Sequence, residues 1–263
     1  MSGIGFPKLV LFDLDGTLLD SAPDMLATVN RMRAARGAAP MPLEALRPHV
    51  SKGSRAMSAA AFPELGGEVA PEMIREFLDL YEEELGRSSA PFDGVDALLA
   101  AIEADGVRWG IVTNKPEYLA RQVLPRLGWD SRCAILIGGD SLPQRKPHPL
   151  PLQHAAAELG VAIADCVYVG DDQRDIDAAR SAGMRSVVAL WGYRLDDDDP
   201  ARWGGNALVD DAPQHVASIR EQRACALADD GIVEDRGVIA IQLPGLKERA
   251  PVDARYQVGE WSI

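Results

Sequence analysis

Cysteine is scarce in this chain: Cys133, Cys166 and Cys225 are the only three, far apart and odd in number. They make neither a zinc-binding spacing nor a disulfide framework, so incidental thiols in a reducing cytoplasm are expected. Long apolar runs are missing too. No stretch approaches the ~18 apolar residues of a transmembrane helix, and the N-terminus lacks the basic-then-apolar order of a signal peptide. A cytoplasmic protein with no membrane partner is therefore expected. Positive charge is in short supply: 27 Lys and Arg against 40 Asp and Glu leave a formal net charge of −13. A chain this acidic is a poor partner for nucleic acid, and an anionic substrate must be drawn in by a bound metal or a few local cations. Apolar residues, by contrast, are plentiful. With 47% hydrophobic residues over 263 positions, a substantial core in one domain or two is expected. Composition leaves the oligomeric state open.

Leu9-Val10-Leu11-Phe12 is a short apolar run of the buried-strand type. Ser21 opens a helix signal: Ser21 and Asp24 have capping-box-like spacing, Pro23 lies in the first turn, and Gly37 follows the last. Residues 38–90 stay helix-like, broken at Pro40, Pro42, Pro63, Gly66-Gly67 and Pro71, and no strand pattern appears in 21–90. From Pro91 short apolar runs alternate with helices. Strands are expected over 109–113, 134–137, 166–169 and 186–190, and helices over 95–104, 117–127, 149–159 and 172–182. Gly106, Gly128, Gly160 and Gly183 close those helices in turn. Such alternation implies a parallel sheet covered on both faces, with ligands at the carboxyl ends of its strands. The expected organisation is an α/β, three-layer Rossmann-like core from residues 1–20 and 91–224. A small all-α cap over 21–90 is inserted after the first strand, and 225–263 form a C-terminal extension. Within that extension Val238–Ile241 is the one β-like run, and the acidic run 196–199 reads as a solvated loop.

Four pieces carry chemistry. The first strand runs into Asp13-Leu14-Asp15-Gly16-Thr17. Two carboxylates with one residue between them cost free energy at a strand end unless a cation or a reaction occupies them. Then come Trp109 to Lys115, an apolar run ending in Thr113-Asn114; Lys146-Pro147-His148-Pro149, a lysine before a helix start; and Val167 to Asp175, an apolar run closing on Asp171, Asp172 and Asp175. Each is weak alone. In this order, each at a strand end or helix start, they resemble the four motifs of the haloacid-dehalogenase-like hydrolase superfamily, over about residues 8–210.

The residue chemistry is compatible with that resemblance. A carboxylate can attack phosphorus and form an aspartyl-phosphate, and a second acid can protonate the leaving oxygen and later deprotonate water. Hard oxygen ligands favour Mg²⁺. The resemblance implies Asp13 as nucleophile and Asp15 as acid/base, with Mg²⁺ on Asp13, the Asp15 backbone carbonyl and Asp171. Asp175 and Asp172 are expected around these ligands, in contact with them rather than with the metal. Thr113 and Lys146 are expected to cradle and neutralise the phosphoryl group, with Asn114 adding a contact; Lys115 reads equally as a solvated residue.

The place of the insertion resembles the phosphoglycolate phosphatase-like branch. Ser51 to Met57, Trp109 to Pro116, Trp191-Gly192-Tyr193 and Pro200 to Gly204 further resemble the N-acetylmuramic acid 6-phosphate phosphatases of bacterial cell-wall recycling. The implied activity is Mg²⁺-dependent hydrolysis of a small phosphorylated metabolite, either N-acetylmuramic acid 6-phosphate or 2-phosphoglycolate. Lys52 and Arg55, on a Gly-containing loop of the insertion, are candidates for its acid or hydroxyl groups. A sugar phosphomutase shares the motifs and the cap type and is the second enzyme reading. A response-regulator-like phospho-acceptor fits less well, because here the second carboxylate cluster follows Lys146. Trp191, Tyr193 and Trp203 read first as packing, and His49 and His148 as structural.

Overall fold

The computed structural model describes residues 7–212 and Ile219. From the N-terminus, β1 (Leu9–Phe12) enters a tight turn that leads into the two-residue β2 (Leu19–Asp20). Four helices follow: α1 (Ala22–Ala35), α2 (Leu43–Leu46), α3 (Ser54–Ala61) and α4 (Pro71–Glu84). The chain returns through β3 (Ala90–Pro91), which pairs antiparallel with β2, so the helical insertion leaves and re-enters through one short hairpin. Then come α5 (Val95–Ala104), β4 (Arg108–Val112), α6 (Glu117–Val123), β5 (Leu136–Ile137), α7 (Leu150–Glu158), β6 (Cys166–Gly170), α8 (Gln173–Ala182), β7 (Arg185–Ala189) and β8 (Ala207–Val209).

The main sheet has six parallel strands in the order β5-β4-β1-β6-β7-β8. β1 is central, and its four residues are fully buried because both sheet faces are covered. Val10 and Phe12 face a core shared with α5, α6 and the helical insertion, whereas Leu9 and Leu11 face α7 and α8. The first core is anchored by Trp109 and Trp129, packed edge to face with ring centroids 6.0 Å apart. Burying each such large side chain contributes roughly 1.5–3 kcal/mol. Register decides where the chemistry falls. Phe12 lies opposite Ile111 on one side and Val169 on the other, so the chain segments after β1, β4 and β6 emerge together.

The expected helices and strands of the core are present to within a few residues, with instructive exceptions. The helix expected over 117–127 is α-helical only to Val123. It tightens into a 3-10 turn over Leu124–Leu127, where Pro125 lacks the N–H an α-helix needs. The strands β2, β3 and β8 have only two or three residues each, too few for a periodic signal. Ser21 does precede α1, but its backbone is already helical (φ −95°, ψ −3°), so its side chain makes no capping bond. Asp24 is likewise turned away from any capping box. It accepts the Gly86 and Ser88 N–H groups, each at 2.6 Å, and the Ser89 hydroxyl. This ties α1 to the segment returning from α4. The acidic run is only partly solvated: Asp199 caps the 3-10 turn Pro200–Arg202, and Asp198 reaches the helical insertion. Cys133 and Cys166 are free thiols, with Cys166 buried. Cys225, Val238–Ile241 and the rest of the expected extension lie outside the described residues. Among the described residues no helix is long and apolar enough to cross a membrane.

Candidate active site

The sheet ladder extends one residue past β1 and β4. Asp13 donates its N–H to the Val169 carbonyl at 2.8 Å, and Thr113 donates to that of Ile137 at 2.9 Å. Asp13, Thr113 and Asp171 therefore stand side by side at the carboxyl ends of β1, β4 and β6, where the order of chain connections switches direction. Two glycines make room there. A Cβ on Gly16, which sits at φ +86°, or on Gly192 would collide with the Asp171 carboxylate.

Lys146 joins the cluster from the loop before α7. Its Nζ lies 3.0 Å from Asp13 Oδ1 and 2.7 Å from Asp175 Oδ1, and it donates to Tyr168 Oη at 2.7 Å. Burial works against its charge, but Asp13 and Asp175 raise its pKa above the ordinary lysine value, so it is an ammonium at neutral pH. Tyr168 spends its own proton on the Val112 carbonyl at 2.7 Å.

One carboxylate oxygen each from Asp13, Asp171 and Asp175 lies within 4.8 Å of the others. Burial pushes the Asp13 carboxyl up to about 6; Lys146 opposes the rise, and Asp175 and Asp15 add to it. Burial, then Asp13 and Asp175, pushes Asp171 well above the carboxylate range, although Asp171 accepts from Thr17 Oγ1 (3.0 Å), Ser51 Oγ (2.7 Å) and the Tyr193 N–H (2.9 Å). Crowded acids of hard oxygen donors with too little positive charge to balance them suit a divalent cation.

Asp15 is brought to the same strand end but turns its side chain away from this cluster. Lys115, whose side chain is only 2% exposed, holds it by both oxygens at 3.0 and 3.1 Å and also donates to Tyr81 Oη of α4 at 2.6 Å. Lys115 is thus no solvated residue, because the insertion covers it. Burial, then Asp15 and Asp24, raises Tyr81 well above its ordinary value, so the phenol keeps its proton.

Asp172 caps α8. It accepts the Arg174 N–H at 3.0 Å while its own N–H donates to Asp175 Oδ2 at 3.0 Å, a reciprocal capping box. Burial alone would raise its pKa, but Arg174 and Lys52 carry it down to about 2. Asp172 therefore faces the insertion rather than the acidic cluster. Thr113 is buried and accepts the Lys115 N–H at 3.2 Å. Asn114 donates to the Lys146 carbonyl at 3.0 Å, and its Oδ1 is buried with no partner among the described residues.

Above these groups lies a cavity of about 310 Å³, lined on the core side by Asp13, Asp15, Thr113 and Lys146, and on the other by Met25, Met57, Ile74, Phe77 and Leu78 of the helical insertion. Lys52 and Arg55 border it, but not as free cations. Lys52 bridges Asp172 (3.0 Å) and Asp198 (2.8 Å), and Arg55 donates to the Val69 carbonyl at 2.8 Å. Trp191, Tyr193 and Trp203 do not line the cavity. Trp191 donates to the Thr17 carbonyl, Tyr193 donates to Asp20 at 2.6 Å, and Trp203 packs with Ile176 and Val188. His148 accepts the Leu150 N–H within its loop.

The structure adds Thr17, Ser51, Lys115, Tyr81, Tyr168 and Arg174 to the site. Thr17, Lys115, Tyr168 and Arg174 sit inside the sequence motifs, whereas Ser51 and Tyr81 are brought to the site from the helical insertion.

The model of the haloacid dehalogenase-like hydrolases matches residues 10–189, and the chain belongs to that family. Within it the enzyme is a phosphatase. It is 61% identical, over 80% of its length and 92% of the relative's, to a protein of Xylella fastidiosa named phosphoglycolate phosphatase. To the N-acetylmuramic acid 6-phosphate phosphatase of Pseudomonas aeruginosa it is 42% identical over 83% and 96% of the two chains. Among solved structures, a predicted phosphoglycolate phosphatase from Haemophilus somnus superposes with a TM-score of 0.71 at 27% identity, covering 83% of this chain and 99% of that one.

Proposed function

We propose that this protein is a cytoplasmic, Mg²⁺-dependent phosphomonoesterase that hydrolyses a sugar-acid phosphate, N-acetylmuramic acid 6-phosphate ahead of 2-phosphoglycolate. The observation that carries the reading is the Lys146 ammonium set between Asp13 and Asp175, beneath a cavity closed by the helical insertion. Residues 21–90 act as the cap and the rest of the described chain as the catalytic core.

In this reading Asp13 attacks phosphorus through a carboxylate oxygen, the ester oxygen leaves, and an aspartyl-phosphate forms. Lys146 balances the charge shared between attacker and phosphoryl group, and the Thr113 hydroxyl and Asn114 hold phosphoryl oxygens. Asp15 gives its proton to the leaving oxygen and then takes one from the water that hydrolyses the intermediate. Mg²⁺ would be held by Asp13, the Asp15 carbonyl and Asp171 and would offset the repulsion between carboxylate and phosphate. Asp175 stays outside, occupied by Lys146 and the Asp172 N–H.

Substrate size separates the two candidates. A two-carbon acid leaves most of a 310 Å³ cavity unfilled, whereas a pyranose with an acetamido methyl can bury apolar surface on Met57, Ile74 and Phe77. The names of the relatives support both substrates, so the experiment compares them. Phosphate release is measured from each with Mg²⁺ and with EDTA. EDTA-sensitive release, faster from the muramic compound, is expected; faster release from phosphoglycolate overturns the substrate, and release unaffected by EDTA overturns the metal.

A further inference from the structure

Six cationic side chains border the cavity: Lys52, Arg55, Lys115, Arg145, Lys146 and Arg174. Five have their charge or donors committed. Lys52 and Arg174 hold Asp172, Lys115 holds Asp15, Lys146 holds Asp13 and Asp175, and Arg55 donates to the Val69 carbonyl. Arg145 is different. It is exposed at the cavity mouth, and its guanidinium has no hydrogen bond or ion pair among the described residues.

The backbone that carries it is nonetheless fixed. The next residue, Lys146, is anchored by two carboxylates and Tyr168, the Asn114 amide holds the Lys146 carbonyl, and the Arg145 carbonyl accepts the His148 N–H at 2.9 Å. Two consecutive residues thus bring cations to one cavity, the buried Lys146 beside Asp13 and the exposed Arg145 on its solvent side. In a chain of net charge −13, an uncommitted guanidinium at a ligand cavity is suited to an anion.

Resting on the phosphatase reading above, we propose that Arg145 binds a carboxylate that the substrate carries away from its phosphate, and so sets the preference for sugar acids over neutral sugars. Lys52 and Arg55, the cap residues that the sequence suggests for this task, are otherwise engaged.

The test compares N-acetylmuramic acid 6-phosphate with N-acetylglucosamine 6-phosphate, which lacks the lactyl carboxylate, in the wild type, Arg145→Ala and Arg145→Lys, with p-nitrophenyl phosphate as a third substrate. The wild type is expected to favour the carboxylate-bearing sugar. Arg145→Ala should shrink the ratio of kcat/KM values roughly tenfold, the range of one charge-assisted contact, chiefly through KM, and Arg145→Lys should restore part of it. An unchanged ratio overturns the proposal. So does an equal fall in kcat for both sugars, which would mean that the substitution only displaces Lys146. If the wild type hydrolyses p-nitrophenyl phosphate but not the sugars, the phosphatase reading stands and Arg145 loses its role. No release from any of the three removes the sugar-acid substrate and the role of Arg145 together.

Discussion

Lys115 grips Asp15 by both carboxylate oxygens while donating a third hydrogen bond to Tyr81, so one buried ammonium ties the end of β1 to helix α4 of the insertion. Removing one member of a buried pair leaves the other charge uncompensated. Lys115→Met should therefore destabilise the fold by about 3 kcal/mol and lower turnover. Adding Asp15→Asn should return part of the stability without returning activity. Urea unfolding of the two single variants and the double, with turnover measured alongside, checks this. Additive losses of stability would mean that the pair does not act as a unit.

The crowding of Asp13 against Asp171 and Asp175 makes a prediction about metal-free protein. In EDTA, Asp13 has a folded pKa of about 6 against an ordinary value of 3.8. A carboxyl whose pKa is raised by folding costs stability in its charged form. That cost is absent below pH 3.8, grows as the pH rises between 3.8 and about 6, and is fully present above it. Asp13→Asn should therefore raise the Tm at pH 7 in EDTA, by an amount on the order of 2 kcal/mol of stability. It should also gain less from added Mg²⁺ than the wild type, and hydrolyse nothing. A lower Tm for Asp13→Asn in EDTA, or residual turnover, would contradict both the electrostatics and the nucleophile.

The sheet was legible because its strands are short apolar runs that stop at carboxylates or a hydroxyl. Asp13, Thr113 and Asp171 each follow such a run, and parallel pairing brings their positions together. What surrounds them was not legible. Lys115 lies in a motif, but its burial comes from Tyr81, which reaches it from 34 residues earlier in the chain. Lys52 reads as a free loop cation because Asp172 stands 120 residues away, and Asp198 reads as part of a solvated acidic run for the same reason. Ser21 and Asp24 match a capping box by spacing alone. The long-range donors at Gly86, Ser88 and Ser89 outcompete the local one.

Those donors give Asp24 a stability role that can be measured. Its carboxylate takes two backbone N–H groups and a hydroxyl from the segment that links α4 to β3. With Asp24→Ala these part-buried donors lose a charged acceptor, at a cost of about 3 kcal/mol in urea unfolding. Asp24→Asn, with one acceptor oxygen left, should cost less. Equal costs would indicate that burial of the side chain, not acceptance by both oxygens, holds the segment.

The Lys52 bridge to Asp172 and Asp198 lies on the seam between insertion and core, beside the Ser51 hydroxyl bonded to Asp171 and the Ser51 carbonyl bonded to Arg174. Asp198 belongs to the segment after β7 and does not line the cavity, so it serves as the neutral handle on this seam. The Lys52–Asp198 pair is mostly, though not fully, shielded from water and is worth up to about 1 kcal/mol. Because the pair holds insertion against core at the cavity rim, Asp198→Asn should raise KM several-fold, with the effect shrinking at high salt because the pair is screened. Lys52→Ala combined with Asp198→Asn should be little worse than Lys52→Ala alone. A double variant that shows the product of the two single effects would instead mean that Lys52 acts on the substrate directly and Asp198 separately, so a double-mutant cycle in KM at low and high salt decides between a latch and a ligand.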